Sequence, residues 1–260
     1  MRENHFRKLL REGKPTLGTR LQSAWPTATE LVGRSGVFDY VEFLAEYAPY
    51  DLHALDNMAR AIELYPNFSG LIKMEASAQH HIAIRAMAAG IQNLLFTDIR
   101  SAADARECVR TVRPEIPGSP GIHGMAGGRA AVGGPVELIK QYQDAVIVLM
   151  IEKKGAVEDL DAICQVEGID MVQFGPSDYS MSIGVAGERN HPAVVEAREH
   201  TIKTALKHGI RPRAEIQTPK EAEYYLNLGV KDFNISTDTA ILSAFYRDQG
   251  GALREMLKGL

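Results

Sequence analysis

Short apolar runs alternate along this 260-residue chain with segments whose apolar positions recur every three or four residues. An uninterrupted apolar run is typical of a strand buried on both faces, whereas the longer spacing is typical of an amphipathic helix. We predict eight strands, over residues 16–22, 40–45, 70–75, 93–98, 146–152, 171–174, 211–216 and 232–236. The predicted helices that follow them cover residues 27–35, 52–64, 80–89, 102–112, 136–143, 156–166, 192–208 and 219–227.

This alternation predicts an α/β fold, and eight strand–helix units in a chain of this length favour a closed (β/α)8 TIM barrel over an open sheet. No change of composition divides the chain, so we expect residues 1–260 to form one barrel domain. Residues 1–10 have the pattern of an additional amphipathic helix. The tail, residues 239–260, is also amphipathic, and it either closes the barrel floor or packs on a partner subunit.

Composition limits the classes of partner and the cellular compartment that we expect for this protein. A net charge of −4 gives no reason to expect nucleic acid or an anionic membrane surface as a partner. The N-terminus lacks the apolar core of a signal peptide, and no stretch approaches the roughly 18 apolar residues of a membrane span. The cysteines, Cys108 and Cys164, lie outside any metal-type spacing. We therefore expect reduced thiols and a cytoplasmic protein.

Two acids lie where predicted strands end. Glu152 closes the apolar run of the fifth strand, and Asp178 follows the sixth strand. The carboxyl ends of barrel strands open onto the mouth where ligands bind, and two carboxylates there would form an oxygen-only site suited to Mg²⁺ or Mn²⁺. Alternatively, each acid caps the helix that follows it.

Several other polar residues are predicted near the same mouth. Arg20, Arg213 and Glu215 lie on predicted strands, where charges are costly unless paired. These residues either form an ion-pair network that fills the barrel or, in the case of Arg20, bind substrate. Lys73 could hold a substrate carboxylate, stabilise an enolate oxygen or form a Schiff base, and the metal pair favours the electrostatic role. Tyr47, after the second strand, serves either catalysis or packing.

Two loops are also candidates. The turn Gly175, Pro176 and Ser177 could receive a carboxylate on its backbone N–H groups, although Gly-Pro is a common turn dipeptide. The Gly-rich stretch 114–135 is long for a loop of a compact domain. Because it lies between the fourth and fifth strands, we expect it at the mouth, with His123 as a candidate for acid–base chemistry.

The chain resembles the HpcH/HpaI aldolases, class II pyruvate aldolases of the 4-hydroxy-2-oxoheptanedioate aldolase type. The most specific match is Gly-Pro-Ser-Asp at 175–178, within a matching run at 168–180 that accompanies Met150-Ile151-Glu152. The resemblance covers essentially the whole chain. Further matches are Leu17-Gly18-Thr19, Phe38-Asp39-Tyr40, Glu46 with Ala48-Pro49, Gly90-Ile91-Gln92, Gly184-Val185-Ala186-Gly187 and His191-Pro192.

The resemblance implies a (β/α)8 barrel in a homo-oligomer, a trimer or hexamer, whose subunits exchange the C-terminal helix. It implies that Glu152 and Asp178 hold a divalent metal, Mg²⁺, Mn²⁺ or Co²⁺. It also implies a 2-keto acid substrate that chelates this metal, and retro-aldol cleavage that releases an aldehyde and leaves a pyruvate-type enolate at the metal. Ser177 and the Gly175 turn would then receive the substrate carboxylate.

Four positions depart from the family pattern. Tyr47 stands where the family has a histidine, Leu44 where it has an aspartate, Lys73 where it has an arginine, and Met150 where it has a glutamine. Lysine supplies positive charge but not the bidentate fork of arginine. A phenol has an ordinary pKa of about 10 against about 6.5 for imidazole. The metal and keto-acid platform is therefore kept, whereas the proton-transfer machinery is changed.

We predict a metal-dependent carbon–carbon lyase acting on a 2-keto acid, with Lys73 facing the enolate and with Tyr47 or His123 as proton carrier. A first rival keeps the platform and changes the reaction to that of a condensing enzyme of citrate-synthase type or of a decarboxylase. A second rival is a barrel without catalysis that binds a keto acid or a protein partner.

Overall fold

The structure is a computed structural model that describes residues 2–76 and 79–260. Parallel strands hydrogen-bond in chain order and close into a barrel through pairing of the first strand with the last. The strands are β1 (Thr16–Leu21), β2 (Tyr40–Leu44), β3 (Ser69–Met74), β4 (Asn93–Phe96), β5 (Ile147–Ile151), β6 (Met171–Phe174), β7 (Arg211–Ile216) and β8 (Asp232–Thr237). The predicted barrel is confirmed, and each predicted strand end is correct to within two residues.

Helices surround the barrel, and one precedes it. They are α1 (His5–Arg11), α2 (Pro26–Arg34), α3 (Leu52–Glu63), α4 (Gln79–Ala89), α5 (Ala102–Val112), α6 (Pro135–Asp144), α7 (Lys154–Glu158), α8 (Leu160–Cys164), α9 (Pro176–Ser182), α10 (Pro192–Lys207), α11 (Ala222–Asn227), α12 (Asp238–Phe245) and α13 (Gly251–Leu257). Met1, part of the predicted N-terminal helix, lies outside the described residues. The helix predicted over 156–166 is divided at Asp159, whose carboxylate accepts the Ala102 N–H.

The floor of the barrel is closed by α1. The fully buried Phe6 stacks on Tyr40 of β2, with ring centroids 4.4 Å apart. Arg7 pairs with Asp170 before β6 and donates to the Ala145 carbonyl before β5. The alternative in which the C-terminal tail closes the floor is therefore wrong.

The barrel interior is apolar on one side and polar on the other. The apolar side includes Leu71, Leu95 and Val148, from β3 to β5. On the polar side, Arg213 and Glu42 are both fully buried and form an ion pair of 2.7 Å. The network alternative for the charged strand residues is therefore confirmed for Arg213, and its main partner, Glu42, was not predicted.

The polar side chains packed inside the barrel leave room only for a glycine at position 18 of β1. A Cβ there would lie 2.3 Å from Asn234 Oδ1 and 2.4 Å from the ring of Tyr40. Asn234 donates to the Glu42 carboxylate at 2.6 Å, so a side chain at position 18 would displace a residue that supports the buried pair. The close approach of side chains therefore explains the glycine.

The C-terminal segment 238–260 leads away from the barrel. It consists of α12, a π-helical turn over Tyr246–Gly250, and α13. Its large apolar side chains are about half exposed or more: Ile241, Leu242, Phe245, Leu253, Met256 and Leu257. No helix in the described ranges is long and apolar enough to cross a membrane.

Candidate active site

Glu152 lies at the end of β5, at the mouth of the barrel, and is almost fully buried. Its Oε1 accepts a hydrogen bond of 2.9 Å from the backbone N–H of Asp98. Its Oε2 faces Gly175, where a Cβ would lie only 2.6 Å away. Burial raises the pKa of Glu152 to about 7, while the Asp98 N–H and the Lys73 ammonium oppose this rise. A nearby cation would therefore favour the ionised form.

Asp178 lies in the first turn of α9, directly after β6. Its side chain is 40% exposed, and its Oδ1 lies 3.2 Å from the Lys153 ammonium. The negative charge of Asp178 contributes to the raised pKa of Glu152, as expected for two carboxylates that share a site. The two acids predicted as metal ligands are therefore brought to the same mouth.

Lys73 of β3 is the buried cation of this mouth. Its Nζ lies 2.8 Å from Glu46 Oε2 and donates to the Tyr47 hydroxyl at 2.7 Å. Burial by itself would lower the pKa of Lys73, but the Tyr47 hydroxyl and the Glu46 carboxylate raise it above its ordinary value. Lys73 is therefore held as an ammonium, which does not favour a Schiff-base role.

Tyr47 follows β2, and 53% of the residue is exposed, while its hydroxyl is turned onto the buried Lys73. The Lys73 ammonium also lies 4.7 Å from the centre of the tyrosine ring. Burial of the hydroxyl raises the pKa of Tyr47 to about 12, although Lys73 opposes the rise. The phenol is therefore protonated at neutral pH and is a poor general base.

Two further residues of the mouth, Asp98 and Lys153, were not predicted from the sequence. Lys153 Nζ lies 2.6 Å from Asp98 Oδ1, and the same ammonium reaches Asp178. Asp98 adopts a φ of 57°, an uncommon value for a residue other than glycine. Asp98 follows β4, and this position at a strand end is the same signal that identified Glu152.

The donor set of the mouth fits a hard divalent cation. Glu152 Oε2 and Asp178 Oδ2 form no hydrogen bond among the described residues, whereas the second oxygen of each carboxylate does. No group of three or more His, Cys, Asp and Glu side chains suited to a metal comes together in that part of the chain. Two carboxylates that leave further positions to water and substrate oxygens are the usual ligands of Mg²⁺, and the set lacks the nitrogen and sulfur atoms that zinc prefers.

The turn at Gly175 is only partly available to a substrate. The Gly175 N–H donates to the Ile151 carbonyl, and Pro176 has no N–H. The N–H groups of Ser177 and Asp178 lie in the first turn of α9, where a helix offers them no acceptor. Any carboxylate received here would therefore bind to these two N–H groups rather than to Gly175.

Arg20 is bound inside the barrel. Its Nη1 donates to Glu215 Oε2 at 2.6 Å and its Nε donates to the Ser236 carbonyl. Gln173 donates to the other oxygen of Glu215, which links Arg20 to the polar side of the interior. These contacts match the ion-pair alternative, and the role of Arg20 in substrate binding stays a prediction.

The expectation that loop 114–135 and His123 lie at the mouth is wrong. The loop follows α5, and the helices run opposite to the strands, so the loop begins at the end of the barrel away from the mouth. His123 is buried, its Nδ1 lies 3.0 Å from the Thr111 carbonyl, and its ring packs against Tyr142. The structure therefore gives His123 no contact with the carboxylates of the mouth.

Comparisons with known proteins agree with this geometry. The family model described as HpcH/HpaI aldolase/citrate lyase matches residues 55–235. The 4-hydroxy-2-oxo-heptane-1,7-dioate aldolase of Shigella boydii is 32% identical over 244 residues, 93% of this chain and 91% of that protein. The hydroxypyruvate/pyruvate aldolase of Pseudomonas aeruginosa is 32% identical over 258 residues, 96% and 93% of the two chains. An HpcH/HpaI aldolase/citrate lyase family protein of Burkholderia cenocepacia superposes with a TM-score of 0.89 at 25% identity, covering 97% of this chain and all of that one.

Proposed function

The chain belongs to the HpcH/HpaI aldolase/citrate lyase family, and from this membership we propose that it is a metal-dependent aldolase of a 2-keto acid. The observation that carries the proposal is the pair of strand-end carboxylates, Glu152 and Asp178. In each, the protein binds one oxygen, and the other forms no hydrogen bond with the residues that the structure describes. The buried ammonium of Lys73 accompanies them. The aldehyde partner and the preferred metal among Mg²⁺, Mn²⁺ and Co²⁺ do not follow from these contacts.

Glu152 Oε2 and Asp178 Oδ2 would hold the cation, with the remaining positions left to water and to the substrate. When bound, the metal supplies a Lewis acid that polarises the keto group of the substrate. Ionisation of Glu152 is a condition for this binding, because burial keeps the pKa of its carboxyl near 7 in the metal-free protein. Metal affinity should therefore rise with pH through the neutral range.

Lys73 would stabilise the negative charge that develops on the substrate. In retro-aldol cleavage the C3–C4 bond breaks, the C4 hydroxyl loses its proton, and the electron pair passes to the C2 oxygen as a pyruvate-type enolate. The Lys73 ammonium, kept charged by Glu46 and Tyr47, offers a fixed positive charge to that oxygen. The enolate then takes a proton at C3, and pyruvate and an aldehyde leave. Ser177 and Asp178 supply N–H groups for the substrate carboxylate.

The protonated state of the Tyr47 phenol favours a second candidate reaction, decarboxylation of a 2-keto diacid. Retro-aldol cleavage requires a base for the C4 hydroxyl proton, and the protonated phenol of Tyr47 is unsuited to that task. Decarboxylation requires no such base, because the electron pair of the bond to the departing carboxylate passes directly to the keto oxygen. The same carboxylates and Lys73 would serve this enolate.

Steady-state kinetics with metal-stripped protein and added Mn²⁺ test these proposals. Pyruvate release from 4-hydroxy-2-keto acids well above that from oxaloacetate would support the aldolase, and the reverse would support the decarboxylase. Glu152→Gln and Asp178→Asn should abolish either activity, whereas the exposed Glu158→Gln should not. Condensation of oxaloacetate without pyruvate release would indicate a citrate-synthase type of enzyme. Mn²⁺ binding without turnover on any of these compounds would indicate a non-catalytic barrel.

We also propose a homo-oligomer, a trimer or hexamer in which segment 238–260 packs on a partner subunit. The support is the exposure of its apolar side chains, with Phe245 61% and Met256 76% exposed. A cytoplasmic location is supported by Cys108 and Cys164, which are buried and unpaired. A monomer at micromolar concentration in light scattering would contradict the first of these proposals.

A further inference from the structure

Lys153 is a cation placed between acids of the mouth. Its side chain is only 16% exposed, and its Nζ lies 2.6 Å from Asp98 Oδ1 and 3.2 Å from Asp178 Oδ1. The next residue, Lys154, offers a contrast: its side chain is 63% exposed and pairs with Glu158 one turn along the same helix. Of these two adjacent lysines, Lys153 therefore places its charge in the mouth and Lys154 does not.

The charges of the mouth explain this placement. Glu152, Asp178 and Asp98 bring carboxylates together, and the Lys73 ammonium pairs with the Glu46 carboxylate and the Tyr47 hydroxyl. Lys153 is thus a cation that neutralises Asp178. A divalent cation bound to the same carboxylate would lie within a few ångströms of this ammonium, and like charges at such a distance repel appreciably even in a solvated site.

We infer that Lys153 is an internal counter-ion that occupies the Asp178 carboxylate in the metal-free protein and thereby weakens divalent-metal binding at Glu152 and Asp178. Asp98 offsets part of this effect, since its carboxylate holds the same ammonium at the shorter distance. The inference rests on the proposed metal site. It assigns to Lys153 the setting of metal affinity, with no contact to the substrate required.

Substitutions of Lys153 and of Asp98 should change the affinity for Mn²⁺ in opposite directions. Lys153→Met removes the competing charge and should tighten Mn²⁺ binding. We expect the Kd to fall about tenfold, because this is the size of effect that one partly exposed charge has on a neighbouring charge. Asp98→Asn leaves Lys153 with Asp178 alone and should weaken Mn²⁺ binding about threefold or more. Asparagine tolerates the left-handed backbone of position 98 and keeps the N–H that binds Glu152, so this variant changes the charge and not the backbone contact.

Calorimetric titration of the metal-stripped full-length protein with Mn²⁺ measures these effects. Lys154→Met is the matched control, and its Kd should stay within about twofold of the wild-type value. Thermal unfolding gives a second readout: metal-free Lys153→Met should melt below metal-free wild type, because the acids lose a counter-charge, and saturating Mn²⁺ should raise its melting temperature by more than it raises that of wild type.

An unchanged or weaker Mn²⁺ affinity in folded Lys153→Met would overturn the inference. If both Lys153→Met and Asp98→Asn weakened binding, the pair would be orienting the metal ligands rather than competing with the metal, and the inference would again be overturned. Failure of the proposed function is distinguishable, because Mn²⁺ binding by wild type would then be absent or would be unaffected by Asp178→Asn.

Discussion

Gly175→Ala should displace a metal ligand at a position whose backbone dihedral angles suit alanine. The φ of Gly175 is −104° and its ψ is 91°, values that alanine adopts readily. The new methyl group would lie 2.6 Å from Glu152 Oε2 and 2.8 Å from Glu152 Cβ. An ordinary contact begins at 3.4 Å, so the carboxylate oxygen must retreat by about 0.8 Å, the difference between 3.4 and 2.6 Å.

A shift of this size matters because the geometry of metal ligands is demanding. Changes to the groups that orient metal ligands typically weaken metal affinity by about 10–100-fold, and we expect Mn²⁺ affinity of Gly175→Ala to fall within this range. Overpacking should also lower the unfolding free energy of the metal-free protein by about 1–3 kcal/mol. Turnover at saturating Mn²⁺ should recover only in part, because a misplaced ligand also misplaces the substrate.

Calorimetric titration with Mn²⁺ measures the effect, with turnover recorded across the same metal concentrations. Gly124→Ala is a matched control, because a Cβ at that position meets no atom within 4 Å and its backbone has no left-handed φ. It should behave as wild type in both assays. A folded Gly175→Ala protein with wild-type Mn²⁺ affinity would refute the assignment of Glu152 Oε2 as a metal ligand.

Substitutions at four further positions test the site and the barrel. Lys73→Ala should lower kcat by about 10²–10³-fold with little change in Mn²⁺ affinity, and Lys73→Arg should recover part of the loss; a larger effect on Mn²⁺ binding than on kcat would contradict the electrostatic role. Tyr47→Phe should keep turnover within about one decade of wild type, whereas loss of an acid–base group would cost about 10²–10⁴-fold. Burial lowers the pKa of His123 below its unfolded value of about 6.5, so the stability that the neutral imidazole contributes is complete above pH 6.5 and is lost as the pH falls. In urea titrations, the unfolding free energy should therefore fall less between pH 7.5 and pH 5 in His123→Phe than in wild type. An equal fall in the two proteins would contradict this prediction. Glu42→Gln removes the ion-pair partner of the buried Arg213 and should lower the unfolding free energy by about 3–5 kcal/mol in the same titrations. A loss below about 1 kcal/mol would show that the pair adds little.

The fold was predictable from the sequence because its signals are local. A strand buried on both faces appears as an apolar run, as β5 (Ile147–Ile151) does here. The misplaced loop shows the limit of the same reasoning. The alternation of strands and helices orders the elements, but which end of the barrel a loop joins depends on the helix before it, and α5 carries the chain away from the mouth before residue 114.

The site was predictable where the evidence is a residue at a strand end, as for Glu152 and Asp178. Interactions across the barrel or between neighbouring loops were not predictable, because they depend on register and on side-chain reach. The pair of Arg213 and Glu42 joins β7 to β2, and nothing local to either strand identifies the partner. The contact of Lys153 with Asp98 likewise joins the ends of two strands far apart in sequence.

The central claim, that Glu152 and Asp178 hold the metal of a keto-acid enzyme, is tested most directly by diffraction from crystals soaked with Mn²⁺ and oxalate, an analogue of the pyruvate enolate. We expect an anomalous manganese peak within about 2.0–2.3 Å of one oxygen of each carboxylate, with oxalate on the same ion and Lys73 directed toward it. A manganese peak elsewhere, or oxalate bound at the mouth without manganese, would contradict the account.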